Sequence, residues 1–114
     1  MNWRYEGTER FDAWYKALKS EEQIRVTFVI ERLERDGPHL GRPYVDSVRM
    51  SEHANMKELR VQSGGDPLRM FFAFDPRRTA ILLVGGNKSG DKHFYERLVP
   101  IADRLFAEHL SPLP

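Results

Sequence analysis

"KELRVQSGGDPLRMFFAFD", residues 57–75, decides the fold. Two apolar runs flank Ser63-Gly64-Gly65-Asp66-Pro67. Glycine tolerates positive φ and proline fixes its own φ, so the stretch reads as two strands joined by a tight turn. Side chains alternate faces along a strand. Leu59 and Val61 therefore share one face, while Glu58, Arg60 and Gln62 share the other; on the next strand Met70, Phe72 and Phe74 fall together, opposite Arg69, Phe71 and Ala73. Both arginines avoid the apolar face. Two guanidinium groups opposed across a short turn repel each other unless an anion or a carboxylate sits between them. The plainer reading makes them solvent-facing cations paired with Glu58 or Asp75.

Outward from this hairpin, β-type segments near 45–49, 56–62, 68–75 and 79–86 alternate with turn signals, the last being "DPRR" at 75–78. Short loops between successive strands imply an antiparallel meander. Upstream, "NWRYE" (2–6) reads as a short strand ended by Gly7-Thr8. Thr8 is a good N-cap for a helix whose apolar stripe is Phe11, Trp14, Tyr15 and Leu18. "SEEQ" at 20–23 fits a capping box, with Ser20 capping the backbone and Gln23 reaching back. The helix it opens has Val26, Val29, Ile30 and Leu33 inward, Phe28 broadening that face, and Asp36-Gly37-Pro38 as its stop. A last helix over about 92–110 places Phe94, Leu98, Ile101, Leu105 and Phe106 at helical spacing, with Pro100 either kinking it or opening a second segment. "SPLP" reads as a frayed tail. The expected class is α+β: a small antiparallel sheet with a mixed edge, an N-terminal helical hairpin and a C-terminal helix.

The chain has 114 residues, 40% hydrophobic and 31% charged, which suits one domain spanning 1–114 with a single modest core. It has no cysteine, which excludes a disulfide framework, a zinc–thiolate site and a cysteine nucleophile. No apolar run is long enough to cross a bilayer and "MNWRYEGTERF" lacks a signal-peptide segment, so a cytoplasmic location without membrane contact is expected. Net charge is +1, with the excess in the middle, where residues 37–97 carry ten basic and seven acidic side chains.

Chemistry can reside in the hairpin cations and in "GGNKSGDKHFYER" (85–97), which follows the apolar strand "AILLV". This second stretch puts Lys88, Asp91, Lys92, His93 and Tyr95 at a strand-to-helix transition, where glycines let backbone amides approach an anion. The spacing of a nucleotide-binding P-loop is absent, since only Asn87 separates Gly86 from Lys88. Phe94 reads as a staple of the helix to the core, whereas Tyr95, one position round the helix, fits a staple and a functional side chain equally. His39, His53, His93 and His109 show no metal-ligand spacing, and no metal or cofactor is expected. His93, beside Asp91 and Tyr95, and His53, just before the Lys57 strand, are the histidines of interest.

The ordered set "MKELRV", "LRMFFAFD" and "AILLVGGNKSGDKHFY", framed by the helical hairpin and the last helix, resembles the RelE/HigB superfamily of toxins from type II toxin–antitoxin systems over about residues 1–110. The resemblance implies a metal-independent endoribonuclease cutting messenger RNA, in many members on the ribosome, by attack of a 2′-hydroxyl on the adjacent phosphate. It also implies a cognate antitoxin partner, of helix-turn-helix type. By the same resemblance Arg69 holds the scissile phosphate, Arg60 and Lys88 supply further cations, and Tyr95 stacks on a base or assists proton transfer. Lys57 matches the strand lysines used for charge stabilisation, and His93 is an acid or base. Lys92, Arg49, His53 and Asn87 are the expected RNA contacts. The alternatives within the fold are a ParE-like toxin that poisons gyrase and a catalytically inert member.

Overall fold

The computed structural model describes residues 2–113; Met1 and Pro114, the two ends of the expected domain and tail, lie outside the described residues. The elements are β1 (Arg4–Gly7), α1 (Glu9–Lys16), α2 (Ser20–Asp36), a 3-10 turn (Gly37–His39), β2 (Val45–Ser47), β3 (Lys57–Ser63), β4 (Asp66–Phe74), β5 (Thr79–Asn87) and α3 (Phe94–Leu110). They build one five-stranded sheet in the order β1-β5-β4-β3-β2. The meander β2 to β5 is antiparallel throughout, and β1 joins its far edge parallel to β5. This is the α+β class the pattern predicts.

Both faces of the sheet are covered, which is why the central strands β4 and β5 are buried almost end to end. On one face Leu59, Val61, Leu68, Met70, Phe72, Ala80 and Leu82 pack against Phe11 of α1 and Val26, Val29, Ile30 and Leu33 of α2. On the other, Phe71, Ala73, Ile81, Leu83 and Val84 pack against Phe94, Leu98, Val99, Ala102 and Phe106 of α3. Each such fully buried large side chain contributes about 1.5–3 kcal/mol relative to exposure.

A bulge in β5 opposite Phe71-Phe72 shifts the register, so that Phe71 meets Val84 and Phe72 meets Leu82. Leu83 and Val84, adjacent in sequence, both reach the α3 core as a result. Beyond the bulge the phase is reversed: Gly85 lies under the Trp14 ring and Gly86 under Phe94 and Leu98. A Cβ on Gly85 would fall 2.4 Å from Trp14 Cε3, and one on Gly86 would fall 2.9 Å from Leu98 Cδ1. These two glycines belong to the strand ladder, paired with Met70 and Arg69, and make room for a helix on each side rather than cradling an anion.

Several local expectations are corrected. Thr8 does cap α1, accepting from Phe11 N at 3.0 Å, and its hydroxyl also donates to the Leu83 carbonyl at 2.6 Å, tying α1 to β5. The cap of α2, however, is Lys19, not Ser20, with Glu22 Oε1 accepting from Lys19 N at 2.9 Å. Gln23 is occupied elsewhere, donating to the Tyr15 carbonyl. Phe28 is 53% exposed and lies outside the buried stripe, because it sits on the far side of α2 from Val26 and Ile30. β2 stops at Ser47, short of the expected 49, and α3 runs through the exposed Pro100 as one helix. Its C-terminal end is fastened by buried Asp75, which accepts from Arg77 Nη2 at 2.7 Å and His109 Nε2 at 2.8 Å.

Candidate functional site

Arg60 and Arg69 are direct register partners on the α3 face of the sheet. The carboxylate that repulsion demands is Glu58, two residues before Arg60 and therefore on the same face. Its Oε2 accepts from Arg60 Nε at 3.2 Å and Nη2 at 3.1 Å. Its Oε1 lies 3.7 Å from Arg69 Nε and accepts from the Tyr95 hydroxyl at 2.7 Å. Glu58 is only 3% exposed. Asp46, opposite Glu58 on β2, takes a second bond from Arg60 Nη2 at 3.2 Å. Its carboxyl is held below the usual range by the Ser47 backbone N–H first, with Arg42 and Arg60 adding to it against the opposing effect of burial.

Tyr95 reaches this pair from the first turn of α3. Its ring stands edge-on to Phe71 and Phe94, which are core residues, so the hydroxyl is aimed by packing as well as by Glu58. Lys88 comes from the end of β5. Its backbone N donates to the Pro67 carbonyl at 2.9 Å, fixing it beside the hairpin, and its ammonium lies 5.5 Å from the Tyr95 ring centroid. Burial, then the hydrogen bond to Glu58 and that carboxylate's charge, push the Tyr95 hydroxyl above its ordinary value, with Arg69 pulling the other way. Tyr95 is thus held as a protonated donor at neutral pH.

One edge of the cluster is open. β2 begins only at Val45, so β3 beyond Leu59 is flanked not by a strand but by Pro43-Tyr44, whose Tyr44 carbonyl accepts from Arg60 N at 2.7 Å. A hollow of about 290 Å³ results, lined by Pro43, Tyr44, Arg60, Val61, Gln62 and Arg69. Arg60 is moderately accessible there, with 36% of its side chain exposed against 12% for Arg69.

Of the residues singled out in the sequence, Arg60, Arg69, Lys88 and Tyr95 come together. Lys57 does not join them: it shares phase with Leu59 and pairs with Phe72, placing it toward the α1–α2 face. His93 precedes α3 and turns its exposed ring to Glu96, with Nδ1 3.3 Å from the carboxylate. His53 is engaged with the C-terminal half of α3, its ring edge-on to Phe106 and its Nε2 3.2 Å from the Asp103 carbonyl. Asp103 is eight residues past Tyr95, about 12 Å along the helix. Lys92 and Arg49 are exposed in loops, and Asn87 is spent locally, accepting from Ser89 N. Glu58 is the residue that the sequence named only as a salt-bridge partner; its phase with Arg60 was the available signal. Among the described residues no group of three His, Asp or Glu side chains could hold a metal ion.

A mixed sheet with a helical hairpin on one face and a single helix on the other gives the protein a RelE-like fold. Its fold matches the structure of a double arginine-to-alanine mutant of the E. coli toxin RelE in the free state, with a TM-score of 0.63 at 11% identity over 86% of this chain and 96% of that one. The chain belongs to the family described as phage derived protein Gp49-like (DUF891), whose model matches residues 13–107, and with it to the RelE/HigB superfamily of toxins. Two relatives from Mycobacterium tuberculosis (strain ATCC 25618 / H37Rv) bear the names "Putative toxin HigB2" and "Putative toxin HigB3". The first is 50% identical over 105 residues, covering 90% of this chain; the second is 49% identical over 104 residues, covering 86%. The chain spans 52% of the length of the first, about half, and 90% of the second.

Proposed function

We propose that the chain is the toxin of a toxin–antitoxin pair and that it cuts messenger RNA without a metal and with the ribosome as a platform: a ribose 2′-hydroxyl attacks the neighbouring phosphate, the P–O5′ bond breaks, and the proton lost from the 2′-oxygen is balanced by one gained at the departing 5′-oxygen, leaving a 2′,3′-cyclic phosphate and a 5′-hydroxyl. The observation that carries this reading is the convergence of Arg60 of β3, Arg69 of β4, Lys88 at the end of β5 and Tyr95 of α3 on one partly open face of the sheet. A phosphorane carries more negative charge than the phosphodiester it forms from, so fixed cations favour it over the ground state. Arg60 and Arg69 would bind its non-bridging oxygens, with Arg60 meeting the RNA at the rim. Lys88 would neutralise charge on the leaving side. Tyr95, held protonated, would act as a hydrogen-bond donor and as a ring on which a base can stack. The exposed Lys92 and His93 would contact the RNA backbone from the loop that leads into α3, while Lys57, Arg49, His53 and Asn87 would act only from outside the cluster. A helix-turn-helix antitoxin and a cytoplasmic setting complete the reading.

The test is induction of the protein alone, with mapping of RNA 5′ ends, repeated with Arg69→Ala and Lys88→Ala. Growth arrest with new cuts in translated messages, lost in both variants, is the expected result. Arrest with DNA breaks and intact messages would transfer the chain to the gyrase-poisoning class, and folded protein causing no arrest would mark it as inert.

A further inference from the structure

Glu58 is a buried carboxylate at the centre of a cluster otherwise suited to an anion. Three donors from three elements converge on it: Arg60 from β3, Arg69 from β4 and Tyr95 from α3. Yet it serves them unequally. Arg60 and Tyr95 make true hydrogen bonds, whereas Arg69 Nε stands 3.7 Å away, buried and without a hydrogen-bond partner. In this arrangement the carboxylate is at bonding distance from Arg60 and from the phenol, but not from Arg69 Nε. A buried N–H left unpaired in this way is costly, and an oxyanion entering between the arginines would satisfy it.

We propose that Glu58 is a positioning and specificity residue of this site: in the unliganded protein its carboxylate stands where the RNA phosphodiester's charge will lie, and binding shifts Arg69 from Glu58 to phosphate. The inference rests on reading this face as a phosphodiester site. Three consequences follow from the geometry. Glu58 keeps two opposed arginines folded side by side before substrate arrives. It aims the Tyr95 hydroxyl. It also lowers affinity for every anion, so that only a ligand with enough further contacts to Lys88 and the loops competes successfully.

The probe is a short single-stranded 2′-O-methyl RNA, which lacks the attacking hydroxyl, followed by fluorescence anisotropy with melting temperature measured in parallel. Glu58→Gln keeps the shape and removes the charge. It is expected to bind the probe about tenfold more tightly, the scale of one lost charge-assisted competitor, while melting lower than wild type. Glu58→Asp, which retains the charge, is expected to bind like wild type. A purely structural Glu58 would lower affinity and melting temperature together, and unchanged or weaker binding by folded Glu58→Gln overturns the proposal. Failure of the underlying site is separable: binding that Arg69→Ala leaves unaltered, or no binding by any variant, rejects the phosphodiester site itself. Should Glu58→Gln not fold, the Arg69 Nε–H NMR signal of wild-type protein titrated with inorganic phosphate decides; a saturable shift supports the exchange of partners, and an unmoved signal refutes it.

Discussion

Tyr95→Phe removes one oxygen and leaves the ring that packs on Phe71 and Phe94. What it takes away is the 2.7 Å bond to Glu58 Oε1. That oxygen then has only Arg69 Nε, at 3.7 Å, inside a residue that is 3% exposed. A hydrogen bond to a charged group is worth about 1.5–3 kcal/mol, and the lower end applies because Tyr95 is half-buried and water can approach. The expected destabilisation is about 1.5 kcal/mol, or roughly 6 °C in melting temperature for a domain of this size. Urea unfolding of Tyr95→Phe, Glu58→Gln and the double variant gives the pairwise coupling, expected near 1 kcal/mol because the residues touch. A Tyr95→Phe protein within about 0.3 kcal/mol of wild type, with additive behaviour in the double variant, would refute the shared-carboxylate geometry.

Two other expectations concern the scaffold. In Asp75 burial acts to raise the carboxyl, but hydrogen bonds from His109, Arg77 and the Thr79 backbone outweigh it and hold the group below its usual 3.8. A depressed carboxyl contributes stability that is present above the unfolded value and lost as pH falls through the lower folded value. Asp75→Asn should therefore cost about 1.5 kcal/mol near neutral pH, the scale of a lost hydrogen bond to a charged group, because the partner Arg77 is half-exposed and stays solvated, and less in strong acid; urea titrations across pH 2–7 read the convergence. Gly85→Ala should destabilise by about 1–3 kcal/mol, because its methyl lies 2.4 Å from the Trp14 ring and must displace it. A red shift in tryptophan emission would report that displacement.

The hairpin was legible because its determinants are local. Alternation from Leu59 to Val61 and from Arg69 to Phe74, read through a Gly-Gly turn, is enough to put Arg60 opposite Arg69. The Thr8 cap and the Val26–Leu33 stripe were legible for the same reason: each depends on residues within a turn or two of one another. Errors arose where two local solutions lay within one residue, as at Lys19 and Ser20, or where an apolar residue had no partner to bury it, as with Phe28. The bulge in β5 was invisible, since nothing in "AILLVGG" distinguishes a shifted phase from a regular one.

What the sequence determined by itself was the class of fold, the meander and the facing arginines, because strand periodicity, turn chemistry and capping act over a few residues. Only the tertiary structure decided which cations belong to one site. Glu58 and Tyr95 are 37 residues apart and meet because α3 packs back across the sheet, which needs the bare backbone of Gly86 beneath Phe94 and Leu98. Strand alternation alone sends Lys57 to the opposite face, but only the packing of α3 keeps His53 near the far end of the helix, since contacts between layers are not contained in any short window of sequence.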